Sequence, residues 1–146
     1  MPALLALTAL HASAAPAYTQ DDVDRVTRYI AERYGEGTPL ATAAGVYIRA
    51  AATLWEEAAR TQQYDQSATV QAAIRELCFR TQLELAGVAN PAEDVAALER
   101  TAQNPALYSG YIYATVLAGQ HPLDNVQITP RQACEKAGVP LPVTAQ

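Results

Sequence analysis

Histidine and lysine are almost missing from these 146 residues: His11, His121 and Lys136 stand against nine scattered arginines. A zinc site draws on three or four ligands, usually several of them His or Cys, so metal chemistry is not expected from this inventory. The net charge of −5 leaves no basic patch to displace phosphate counterions, which excludes a nucleic-acid footprint. Long hydrophobic runs are missing too. The two densest, Leu4 to Leu10 and Ala106 to Ala118, fall short of a membrane span. There is no Cys-x-x-Cys-His haem motif. Ser109, His121 and Asp124 supply the residue types of a hydrolytic triad without a nucleophile elbow around the serine. No catalytic residue and no cofactor is therefore expected, and the chain does not read as an enzyme.

What the chain has in abundance is alanine, 31 residues of it, in a composition 50% hydrophobic and only 17% charged. Small side chains of high helix propensity favour helices packed at close range over a sheet. The length suits one domain with a real core. The expected fold is all-α: a compact bundle of five to six helices with an irregular, proline-rich C-terminal segment.

The first 14 residues have the parts of a secretory signal peptide. A short apolar core is followed by Ala12-Ser13-Ala14, the small-x-small pattern of a cleavage site, although no Lys or Arg precedes Arg25. Cleavage near Ala14 leaves residues 15–146 as a single helical domain in the periplasm or outside the cell. In an oxidising compartment Cys78 and Cys134, the only two cysteines, are expected to pair. Such a disulfide closes a loop of about 57 residues and contributes roughly 4 kcal/mol on the chain-entropy model.

Helix punctuation recurs along the chain. Thr19, with Asp22 three residues on, caps a helix running to about Tyr34, where Gly35 and Gly37 end it. Its outer side pairs Asp21 with Arg25, Asp24 with Arg28 and Arg28 with Glu32 at i,i+4 spacing. Thr38-Pro39 opens a longer helix whose Leu40, Ala44, Tyr47, Ala51, Leu54 and Ala58 form a seam. Asp65 or Ser67 caps a third helix with Val70, Ile74, Leu77 and Cys78 inward, and the second and third form a helical hairpin. "NPAED" and "NPALY" each combine an Asn cap with proline in the first turn, starting helices at Asn90 and Asn104. From Thr101 to Leu123 there is no charge, which predicts a helix buried on most sides at the centre of the bundle. "TPRQACEKAG" is a last short helix carrying Cys134, and the residues after it have no evident partner.

Candidates for function are few. Glu56, Glu57 and Glu76 are the acids a small secreted hydrolase would use, but Arg60 and Arg80 lie within one turn and favour solvated helix faces. Tyrosine is enriched, with eight residues against one Phe and one Trp, three of them in "YSGYIY". Tyr108, Tyr111 and Tyr113 offer rigid amphipathic area suited to a partner surface. Arg49, which has no acid three or four residues away, is a further candidate for that surface.

The run from Tyr18 through Trp55 resembles the start of a family of small helical periplasmic immunity proteins that neutralise cell-wall amidases injected by type VI secretion. Tyr18-Thr19-Gln20, Ile30-Ala31, Tyr34-Gly35 and a second helix ending in Trp55 carry the resemblance. Tyr29 stands where such proteins have a cysteine, so their disulfide topology does not transfer. The resemblance implies a non-enzymatic inhibitor acting by protein contact in the envelope, with an amidase effector as partner and a homodimer as its state. The other classes the sequence leaves open are the hydrolase and an envelope ligand- or stress-binding protein, which would show a cavity between helices.

Overall fold

A computed structural model describes residues 17–118 and 122–141, which form six α-helices and no strand. The signal-peptide reading, the cleavage point, His11 and His121 lie outside the described residues. The helices are α1 (Gln20–Tyr34), α2 (Pro39–Thr61), α3 (Gln66–Leu85), α4 (Pro91–Ala102), α5 (Pro105–Ala118) and α6 (Pro130–Ala137).

Their boundaries follow from cap chemistry. Thr19 and Asp22 form a reciprocal capping box on α1, and Thr129 and Gln132 form another on α6. Thr38, Asp65, Asn90 and Asn104 accept from the backbone N–H three residues on, satisfying donors that a helix start leaves free. Gly35 and Gly138 end α1 and α6 at positive φ. The end of α2 is less ordinary, because Gln62 takes the left-handed conformation at φ 54° without being glycine. Its side-chain amide bonds back to the Ala59 carbonyl, and its own carbonyl accepts from the Tyr113 hydroxyl of α5.

The long α2 is the centre of the bundle, packing on both α3 and α5, while α6 packs on α3 and α1 on α4. Alanine makes this possible. Ala43, Ala44, Ala51, Ala52 and Ala58 are buried along α2 together with Tyr47, Ile48 and Trp55, while Leu40 and Leu54 of the expected seam are half-buried. The tightest approach is at Gly110 of α5, where a Cβ would fall 1.8 Å from the Trp55 carbonyl oxygen. Only glycine lets the two backbones come this close. The Cys78 and Cys134 sulfurs lie 2.06 Å apart, at disulfide bonding distance, joining α3 to α6.

Three expectations are corrected. The charge-free helix α5 is not the bundle centre. It buries Leu107, Gly110 and Ala114 and turns Tyr108 (56% exposed), Ile112 (41%), Val116 (68%) and Leu117 (43%) to solvent. An apolar helix need not be enclosed, and here α2, with alanine on most sides, takes the central place. The i,i+4 ladder on α1 does not form among the described residues. Arg25 bonds instead to Asp22 at i−3 and to the Thr101 carbonyl, and Arg33 reaches across to Asp94 of α4. For Arg25, a buried carboxylate one turn back and a tertiary carbonyl outcompete an exposed i,i+4 pair worth a few tenths of a kcal/mol. The segment after α6 does have a partner: Val139 is buried, and the Gln82 amide donates to the Pro140 carbonyl at 3.0 Å.

Candidate functional site

A cavity of about 280 Å³ lies between α2, α3 and α5. Tyr47, Ala51, Leu54 and Trp55 come from α2, and Thr69, Ala72, Ala73 and Glu76 from α3. Glu99 of α4 enters from one side, and Tyr111, Ala114, Thr115 and Ala118 of α5 form the remaining wall with Pro122. The small residues explain the space. Where three helices meet with Ala51, Ala72, Ala73 and Ala114 facing one another, no side chain fills the middle. The larger residues stand around the edge as ring walls, with Trp55 meeting Tyr111 edge-on at 5.2 Å between centroids.

Glu99 is the electrostatic centre of the pocket. The Tyr47 hydroxyl donates to its Oε2. Burial pushes the Glu99 carboxyl above its ordinary value, the charge of Glu76 pushes the same way, and the Tyr47 hydrogen bond offsets only part of this. Burial and the nearby Glu99 in turn raise the Tyr47 hydroxyl well above the usual phenol range, and burial followed by Glu99 raises Tyr111. Glu76 is held at 3.1 Å by Arg80, its neighbour one turn on. The site is therefore a carboxyl pair in an aromatic cleft, able to hold a proton or receive a cation. Among the described residues no group of three His, Cys, Asp or Glu has the arrangement to hold a metal ion.

The residues singled out from sequence are divided by the structure. Tyr108 and Tyr111 stack at 6.5 Å, Tyr108 on the exposed face and Tyr111 in the pocket wall. Tyr113 is on another side of α5, bonded to the α2 terminus through Gln62. Arg49 is exposed in a separate shallow groove with Thr53, Gln71 and Arg75. Of the three glutamates, Glu56 accepts from the Tyr18 N–H at 2.9 Å and Glu57 pairs with Arg60 on the surface. Only Glu76 reaches the pocket.

Glu99 is the residue that sequence reasoning missed. A signal existed, since Glu99 falls four residues after Val95 and three before Ala102, both buried, so it lies on the inward stripe of α4. An acid on an apolar stripe is a pocket candidate, and Glu76 shows that an arginine one turn away does not exclude one.

No helix among the described residues is long and apolar enough to cross a membrane. Comparison with family models, with curated proteins and with solved structures finds no match to this chain.

Proposed function

We propose that the protein acts by binding a protein partner through the outward face of α5, in the envelope after export. The carrying observation is the strip of Tyr108, Ile112 and Val116, exposed together on a helix from a stretch without a single charge. Polar side chains at these positions would cost the fold nothing, and contiguous apolar surface of this kind marks interaction sites. The resemblance of residues 18–55 to amidase immunity proteins makes a cell-wall amidase effector the sharpest version. Neither the strip nor the pocket needs the protein to perform chemistry.

The test compares wild type with Ile112→Asp, which puts a charge in the strip without touching the core. Wild type should retain an amidase at fixed stoichiometry and inhibit its turnover of peptidoglycan, and the variant should lose both. Retention and inhibition unchanged by Ile112→Asp would overturn the reading. A homodimer in sedimentation that Ile112→Asp dissociates would assign the strip to a second copy instead. The cavity favours one alternative, an envelope ligand-binding protein, for which a small molecule would bind the pocket while the α5 strip stayed free.

A further inference from the structure

We infer that the pocket between α2, α3 and α5 receives a lysine-type primary ammonium side chain from the protein that docks on α5. This rests on the protein-binding reading above and adds what the partner must present. The pocket and the strip are continuous. Tyr111 and Thr115 line the cavity, Tyr108 and Ile112 lie one step further round the same helix, and Tyr108 stacks on Tyr111. A partner lying along the strip has the pocket mouth beside it.

Charge selects the occupant. Glu76 and Glu99 both reach the cavity, but the nearby cations are engaged elsewhere: Arg80 bonds to Glu76 at 3.1 Å and Arg100 to Glu93 at 2.8 Å. Glu99 has the Tyr47 hydroxyl and no cation within ion-pair distance among the described residues. Tyr47, Trp55 and Tyr111 line the cavity, and aromatic rings around a carboxylate favour a cation over an anion. The volume of about 280 Å³ fits a flexible four-carbon stem, which Ala51, Leu54 and Ala72 would flank. Lysine fits better than arginine. A guanidinium binds a carboxylate through both oxygens, and Oε2 of Glu99 is already taken by Tyr47.

The probe is n-butylammonium, a lysine side-chain mimic, followed through the emission of Trp55, the single tryptophan of the chain and part of the pocket wall. It should bind saturably at pH 7, at least about tenfold tighter than n-butanol, with a similar loss in Glu99→Gln. Thr115→Arg, at an exposed rim position, sets a competing cation at the mouth and should abolish binding with the core untouched. Equal binding of butanol, or affinity unchanged in both variants, would overturn the site. The source of the ammonium is tested separately, by displacing the retained partner with n-butylammonium. If retention depends on Ile112 but butylammonium neither binds nor displaces, the lysine site falls and the α5 reading stands. If butylammonium binds as expected while Ile112→Asp leaves retention intact, the α5 reading falls, and the lysine assignment falls with it.

Discussion

The contact between α1 and α4 and the pocket beside α5 both take carboxylates out of water, and they treat them in opposite ways. Asp22 and Asp94 are each less than a tenth exposed, yet both are held below the ordinary aspartate range. Burial alone would raise Asp22. The Thr19 N–H, Arg25, the Asn104 amide and the Thr19 hydroxyl together outweigh it. Asp94 similarly has the Arg33 guanidinium and the Tyr34 hydroxyl, the latter at 2.7 Å, against its burial. Glu99 keeps more exposed surface but has more protein packed around its carboxyl, and it is pushed upward, because one tyrosine hydroxyl cannot repay the lost water and the charge of Glu76 adds to the rise. Depth and donors together decide which carboxylate of this fold binds its proton weakly and which binds it tightly.

The largest expected effect bears on both regions equally. Replacing Cys78 and Cys134 by serine should lower unfolding free energy by about 4 kcal/mol, read from urea midpoints under non-reducing conditions. Cys78 adjoins Phe79, whose ring packs on both Tyr34, the partner of Asp94, and Tyr47, the partner of Glu99, so the loss should fall on both regions alike and leave the contrast between Asp94 and Glu99 variants unchanged. A contrast that collapses in the serine protein would mean that the pocket depends on the staple.

Asp22→Ala breaks the satisfied side of the comparison. It leaves the Thr19 N–H without its acceptor and takes one of two acceptors from the Asn104 amide, 2.6 Å from the carboxylate, and from Arg25. The expected cost is about 2–3 kcal/mol by urea unfolding at neutral pH. A cost under about 0.5 kcal/mol, in the range of ordinary surface changes, would mean that water replaces the network.

Gly110→Ala acts at the backbone that positions the pocket wall. A methyl group aimed at the Trp55 carbonyl forces α5 away from α2, with an expected loss of about 1–3 kcal/mol and altered near-ultraviolet dichroism of Trp55. Unchanged dichroism with unchanged stability would show that α5 tolerates displacement and is less rigid than this contact requires.

How much of this was legible in the sequence depended on the range of the interaction. Caps were readable because Thr19, Thr38 and Thr129 act on backbone within three residues, and all six helices begin where such signals place them. The cysteine pairing was readable from the count of two and the expectation of export, without geometry. The placement of α5 was not, because an apolar, charge-free helix reads the same whether it is enclosed or exposed along one side. Nor was the scaffold role of Asp22 and Asp94, whose partners Asn104 and Arg33 lie 82 and 61 residues away. Nor was the need for glycine at position 110, whose reason lies on α2.

The smallest effect is the most discriminating, and it comes from Glu99→Gln. The amide keeps the shape and still accepts from Tyr47, so at pH 7 the variant should be within about 1 kcal/mol of wild type or slightly more stable. The difference lies in its pH dependence. Asp22 and Asp94 bind protons more weakly folded than unfolded, so their contribution is present above the ordinary aspartate pKa of about 3.9 and is lost as pH falls through the lower folded values. Glu99 binds its proton more tightly folded, so its contribution is full below about pH 4.3 and is lost as pH rises through the raised folded value. Tyr47 on α2, Glu76 and Arg80 on α3, Arg100 on α4 and Tyr111 on α5 surround it; of these, Glu76 raises its pKa further, while Tyr47, Arg80 and Arg100 oppose burial without cancelling it. Wild type should therefore lose stability relative to Glu99→Gln as pH rises from about 4 to 7, while both lose it together below about pH 4. Melting curves of the two proteins at pH 4, 5.5 and 7 measure this directly. Parallel curves would mean that Glu99 is as well satisfied as Asp94, and the distinction between the two regions would disappear.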